Sequence, residues 1–434
     1  MTAKSRCDLV LCGVSLPGGR VADLSVRNGA VCHVGAGLPA EDRIDCRSFT
    51  VLPAAVDMHV HMRGGRQGAK EDWRTGSRSA LAGGVTLVVD QPNTLPPLTT
   101  GALAADRVRE ALASSCCHFA VNGGVSPGAD LRGLWRAGVM AFGEVFAAPS
   151  SFAEGLAPGD LERLLAKIGD LRGLATIHAE EANPGPDTSL PAHHALRSPA
   201  GEARAVAEVR RLNRNSARLH FCHMSTAASV DAAGGSSVEV APHHLLLSLE
   251  MFDPEDPEGK VNPPLRPEAE VKRLWSRWDR IHAIASDHAP HTREEKALAF
   301  DLAPSGIPGV ETMVPLLVAR CRERKIPLQE LTEKTSWGPS GILGIPRAGF
   351  AVGERADFAL YPGEAGEVRA DDLHSKAGWT PYEGMGAVFP EIVIMGGRVA
   401  YRFGDFPPAS PRWFPGRGYI GTGQMKNGAD TARP

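Results

Sequence analysis

Between residues 51 and about 325, short β-rich runs alternate with helical ones. That rhythm limits the folds open to this chain more than any other feature. Eight strand candidates stand at 52–61, 86–90, 117–122, 139–146, 174–178, 219–223, 238–242 and 281–287. Helical runs are clearest at 72–82, 101–113, 160–168, 199–213 and 267–280. A short one lies at 226–233, a weaker one across 123–138, and a last one at 308–324. The strands are near-continuous apolar runs, the pattern of a sheet covered on both faces. No run decides its own structure, but eight β–α units in series predict an α/β class and a (β/α)8 barrel of the TIM type. Residues 1–50 and 345–405 read instead as short strands broken by Gly and Pro, with Asn28-Gly29 suited to a tight hairpin. The expected organisation is a barrel over 51–344 and one small β-sandwich-like domain formed by 1–50 and 345–405 together. A loosely ordered tail rich in Gly, Pro and Arg then covers 406–434. A chain of 434 residues has room for both domains.

Composition narrows the partners. A formal net charge of −3 argues against nucleic acid or an acidic membrane surface and leaves a small-molecule substrate as the expectation. The eight cysteines are irregularly spaced with no Cys-x-x-Cys, which predicts free thiols in a reducing compartment. No apolar signal core opens the sequence and no membrane-spanning run is present, so a cytoplasmic location is expected. Neither common nucleotide-binding glycine loop occurs.

Chemistry-bearing residues collect at one end of the expected strands. The first run ends in Asp57-Met-His59-Val-His61-Met-Arg63. Residues two apart in a strand share a face, so His59 and His61 stand side by side. The second run leads into Gln91-Pro-Asn93-Thr94, and the fourth carries Glu144. The fifth ends in His178-Ala-Glu180, the sixth in His223, and the eighth in Asp287-His-Ala-Pro-His291. In a barrel these ends open into one mouth. Four histidines and a carboxylate at that mouth make a metal site with nitrogen and oxygen donors. Zinc suits it, with manganese and iron left open. Such an ion lowers the pKa of a bound water to roughly 7 and polarises a carbonyl. Asp287 is the expected proton carrier. The reaction class is metal-assisted hydrolysis or its reversal.

These residues resemble the amidohydrolase superfamily, and within it the dihydroorotase family, over about residues 50 to 400. His59, His61, His178, His223 and Asp287 match the superfamily's metal and catalytic positions. Finer likenesses are Arg63, Pro92-Asn93-Thr94, Val261-Asn262-Pro-Pro-Leu-Arg266, Asp287-His-Ala-Pro-His291, Gly306-Ile-Pro-Gly-Val-Glu-Thr312, Ser375-Lys376 and Thr380-Pro-Tyr-Glu-Gly384. The resemblance implies reversible hydrolysis of the ring amide of dihydroorotate to N-carbamoyl-aspartate. It also implies one or two zinc ions, and association with itself or with aspartate transcarbamoylase. Arg63 is suited to grip the substrate carboxylate bidentately, helped by Asn93 and His291, while Asn262 reads the ring's amide edges.

Two departures stand out. Many relatives carry a metal-bridging carboxylated lysine at the end of strand four, where this chain has Gly143. Glu144 is one residue out of register and would face away in a regular strand, unless a bulge turns it inward to replace the bridging group. The loop Gly64-Gly-Arg-Gln-Gly68 also lacks the Asp-Pro-Gly or Glu-Pro-Gly of many relatives. His193-His194 and His243-His244 are expected in loops or behind the ligands, and Arg197, Glu202 and Arg204 in a salt-bridged surface. Other readings are a hydantoinase or allantoinase, or a barrel serving as a non-catalytic scaffold. Asp287→Asn separates the last from the rest: an enzyme loses turnover by orders of magnitude with its thermal melt unchanged, whereas a scaffold keeps its partner binding.

Overall fold

The structure, a computed structural model, describes residues 6–147, 155–214 and 216–420. Its first four strands, Cys7–Ser15, Val21–Arg27, Ala30–Gly35 and Ala40–Asp45, form one sheet in the order third, second, first, fourth. Asn28 and Gly29 turn the hairpin with φ of 53° and 78°, the mirror-image turn whose twist matches that of the strands. A second sheet joins Thr50–Pro53 to Phe358–Tyr361, Ile392–Met395 and Arg398–Arg402, so strands from both parts of the chain lie together. Leu9, Leu11, Leu24, Val26, Val51, Phe358, Leu360 and Ile394 share one buried cluster between these sheets.

The expected strand 52–61 divides in two. Thr50–Pro53 pairs antiparallel with Phe358–Tyr361, whereas Ala55–Val60 pairs in parallel with Val85–Asp90. One apolar run thus serves two layers, which hydrophobicity cannot reveal because both sides are buried. The expected strand at 388–390 is absent: Val388 donates its N–H to the Pro315 carbonyl, and Pro390 has no N–H to give.

Apart from the short antiparallel pair Gly366–Glu367 with Gly386–Ala387, the remaining described strands are all parallel. Ala55–Val60, Val85–Asp90 and His118–Val121 form one sheet. Phe142–Phe146, Leu174–His178, Arg218–Phe221, Ser237–Val240 and Ala283–Ile284 form another. Isolated parallel bridges connect Gly123 to Phe142 and Val60 to His288. Helices cover the outer faces, and short polar side chains start them. Asp72 accepts from the Arg74 and Thr75 N–H groups to open Trp73–Ala82, and Thr100 accepts from Leu103 to open Gly101–Ser114. Ser198 does the same for Pro199–Asn213, the span predicted from sequence. The helix expected at 308–324 starts later, at Met313–Arg324, because Gly306 to Thr312 runs as a loop over the strand ends. No described helix is long and apolar enough to cross a membrane.

Residues 406–420 are not loose, contrary to expectation. Phe119 donates to the Arg412 carbonyl and accepts from Phe414 N–H, and Trp413 packs on the main core. Residues 421–434 of the expected tail lie outside the described residues.

Close backbone packing sets one sharp requirement. A Cβ on Gly83, which ends Trp73–Ala82, would stand 2.5 Å from the Glu311 carbonyl oxygen and 2.8 Å from its Cα. Backbone cannot yield as a side-chain tip can. Gly83→Ala should cost about 1–3 kcal/mol, read as a lowered thermal midpoint.

Candidate active site

The first, second, fourth, fifth, sixth and eighth parallel strands end by delivering polar side chains to the same space. The first positions His59 and His61, and Asp57 ties it to the eighth by accepting from Ser286 N–H (3.0 Å) as well as from His59 N–H (3.3 Å). Arg63, His223 and Asp287 follow strand ends with φ of 47°, 37° and 48°. Left-handed backbone at three non-glycine residues is costly and gathers at functional sites.

Glu144 sits at the centre. The fourth strand pairs Phe142 with Ala175 and Val145 with Ile177, so one extra residue bulges from it between those pairs. Gly143 makes this geometry possible, since a Cβ there would strike the Thr176 hydroxyl and carbonyl oxygens, and its φ is 146°. The bulge turns Glu144 toward the histidines despite its register. Its Oε1 lies 2.9 Å from His178 Nδ1 and 2.9 Å from His223 Nε2. Its Oε2 is 3.7 Å from His59 Nε2 and accepts from Asn93 Nδ2 at 3.2 Å. Asp287 Oδ1 lies 3.3 Å from His61 Nε2 and 3.5 Å from His59 Nε2.

Outer carboxylates orient these rings. His59 Nδ1 is 3.0 Å from Glu239 Oε1, and His178 Nε2 is 3.2 Å from Glu180 Oε2. A carboxylate accepts, so those nitrogens carry the hydrogens and the opposite nitrogens present lone pairs inward. Lone pairs then face carboxylate oxygens, an arrangement that a cation among them satisfies. His59 Nε2 is buried with no hydrogen-bond partner among the described residues. The donor set therefore fits a divalent metal. Among the described residues three triads have donor atoms within 4.8 Å of one another: His59 with His61 and Glu144, His178 with His223 and Glu144, and His59 with Cys222 and Glu239, the first two sharing Glu144. Protonation answers the same electrostatics: burial disfavours charge on His178, but Glu144 and Glu180 outweigh it and raise the ring to about 10.

A cavity of about 470 Å³ opens over this cluster, lined by Arg63, Asn93, Asn262 and His291 among others. Arg63 NH2 lies 3.4 Å from His291 Nε2. Asn262 Oδ1 lies 2.9 Å from His193 Nε2, whose Nδ1 is 2.9 Å from Asp187. A larger cavity, about 720 Å³, lies at the strand starts against Leu174, Leu219, Ser237 and His282, and none of the histidines around Glu144 lines it. His244 pairs with the Pro263 carbonyl at 3.0 Å. Of the expected surface network, only Arg204 is exposed, pairing with Glu181. Glu202 is buried beneath Ser225 and Arg266, and Arg197 turns inward to Glu180. Their spacing on a helix start hid this, because the partners lie far along the chain. Glu239 went unassigned in the sequence, although an acid in the apolar run Val238-Glu-Val240 was the available signal.

No family model matches the chain. Dihydroorotase from Methanosarcina acetivorans is 39% identical over 414 residues, covering 88% of this chain and 89% of its own. The chain belongs to the dihydroorotase family. Dihydroorotase from Halobacterium salinarum is 38% identical over 400 residues, covering 89% of this chain and 94% of its own. Among solved structures, an L-hydantoinase (dihydropyrimidinase) from Arthrobacter aurescens superposes with a TM-score of 0.88 at 24% identity, covering 94% of this chain and 99% of its own. A D-hydantoinase superposes at 0.84 and 22% identity. At that identity the likeness shows the fold alone.

In this member of the family the bulge governs where Glu144 points. Gly143→Ala should displace it and lower bound divalent metal, measured by elemental analysis, at least tenfold relative to the unaltered chain.

Proposed function

We propose that this protein is a dihydroorotase, interconverting (S)-dihydroorotate and N-carbamoyl-L-aspartate by reversible hydrolysis of the ring amide in de novo pyrimidine synthesis. One observation carries the reading: a buried guanidinium shares a cavity with two metal-type triads that have Glu144 in common. In this reading the parallel strands close as a (β/α)8 barrel, supported by the bridges at both open edges. His59, His61, His178, His223, Glu144 and Asp287 would hold two zinc ions, the metal that imidazole and carboxylate donors suit. A divalent ion so held acidifies water and polarises a carbonyl.

The other steps belong to the chain's own residues. Burial pushes Arg63 down to about 10, still charged at neutral pH, and its Nε is buried without a partner among the described residues. The ring carboxylate of dihydroorotate supplies the missing acceptor, with His291 and Asn93 beside it. Asn262, held by His193, reads the ring's amide edge. Burial raises the Asp287 carboxyl, but His59 and the hydrogen bond from His61 outweigh it and leave it below its ordinary value. Asp287 is thus ionised and takes a proton from the attacking water. As the ring C–N bond breaks, it gives that proton to the departing nitrogen. In the synthetic direction the transfers reverse. An uncharged ring, as in a hydantoinase reading, leaves Arg63 unanswered. The eight free cysteines support a cytoplasmic setting, and the reading includes self-association or association with aspartate transcarbamoylase.

The test is turnover of dihydroorotate, followed by loss of its ultraviolet absorbance, before and after chelation. Activity should fall by orders of magnitude on chelation and return with zinc. Arg63→Met should lower kcat/KM roughly 30- to 1,000-fold, the worth of a charge-assisted pair. No turnover by folded, metal-loaded protein would sink the proposal.

A further inference from the structure

The cationic wall of the cavity contains a group that the steps above do not use. Lys70 lines it from the loop after Arg63. Its Nζ lies 2.8 Å from Glu295 Oε1 and 3.2 Å from His291 Nδ1. His291 is buried, and its Nε2 lies 3.1 Å from the Ser305 carbonyl oxygen. A carbonyl only accepts, and it lies nearer to Nε2 than Arg63 NH2, a donor at 3.4 Å, so Nε2 carries the ring hydrogen and Nδ1 holds a lone pair that needs a donor. Two groups reach that lone pair. The Lys70 ammonium donates; Glu295 Oε2, at 3.3 Å, cannot while ionised.

We propose that Lys70 is a positioning residue that holds His291 as its neutral Nε2–H tautomer, so that the ring donates to the Ser305 carbonyl and fixes that stretch of the cavity wall beside Arg63, where the carboxylate of a cyclic substrate binds. The substrate part of this rests on the reading above; the tautomer does not. Burial pushes His291 down to about 3, with the charges of Arg63, Lys70 and Lys296 adding to it against Glu295, so the ring is neutral and its tautomer matters. The opposite tautomer would turn a lone pair toward the Ser305 carbonyl and lose that bond. Lys70 and Glu295 compete for one nitrogen, and their ion pair keeps Glu295 occupied. Without Lys70, Glu295 is the only one of the two left at Nδ1, and it favours a hydrogen there. The surroundings are anchored independently of Lys70: Lys376 donates to the Gly68 carbonyl at 2.9 Å, and Trp379 Nε1 to the His291 carbonyl at 2.8 Å.

The experiment compares the unaltered chain, Lys70→Met and Lys70→Arg, each metal-loaded. Nitrogen-15 NMR of histidine-labelled protein reads the tautomer, with His291 identified by its loss in His291→Gln. The unaltered chain should show neutral Nε2–H. Lys70→Met should move His291 to Nδ1–H or to a mixture, and Lys70→Arg should retain Nε2–H. KM for dihydroorotate should rise about tenfold in Lys70→Met with a smaller change in kcat, as expected for loss of one ground-state hydrogen bond. An Nδ1–H or imidazolium ring in the unaltered chain overturns the proposal, as does an unchanged tautomer in folded Lys70→Met. The spectrum needs no turnover, so failure to hydrolyse dihydroorotate would remove the functional reading without touching the tautomer result.

Discussion

A carboxylate taken out of water must be paired, or the cost of burying its charge unfolds the site. Glu144 is buried with imidazole nitrogens from the first, fifth and sixth parallel strands around it. Burial pushes its carboxyl up, but His59, His178 and His223 as protonated donors overcome that and hold it well down, a task that passes to a cation among them when the rings are neutral. Much of the site follows from this one group. Gly143 is needed so that the strand can bulge and aim it. Asn93 is needed for the oxygen that the rings do not fill. Glu239 and Glu180 are needed behind the rings, so that each offers its inner nitrogen rather than its hydrogen.

Charge is sorted by position around the cavity. The floor is a cage of imidazoles and carboxylates. The wall carries Arg63, Lys70 and His291, with Glu295 tying Lys70 back. A site so divided favours a ligand that carries an anion at one end and a polarisable carbonyl at the other. The loops that form the wall are themselves pinned by buried cations. The Lys296 ammonium donates to the carbonyls of Lys260, Pro304 and Gly306, which holds the Pro304–Gly306 stretch against the cavity.

The alternation of β and α runs was legible because parallel strands buried on both faces are apolar throughout. The strand-end histidines were legible because they recur at the same end of strand after strand, where a barrel opens its mouth. Boundaries were less so. The run at 52–61 gave no sign that it changes sheets at Ala54, and the segment 406–420 carried a disordered composition yet docks through Trp413 and Phe414. Arg197 and Glu202 looked like surface charges because helix starts usually are. Their partners, Glu180 and Ser225, are neighbours in space and distant in sequence.

What the sequence determined by itself was the order of α and β elements, the residue types at the strand ends, and the chemistry those types permit. These depend on local periodicity and composition, which the chain carries residue by residue. Tertiary structure alone decided which way Glu144 faces, which nitrogen of each ring points inward, and which cation answers His291. Strand periodicity turned Glu144 away. A bulge that only the neighbouring strand's register can define turned it back. Lone-pair direction is likewise set by the partner on the far side of each ring, and those partners, Glu239, Glu180 and Lys70, meet their histidines only once the strands lie side by side.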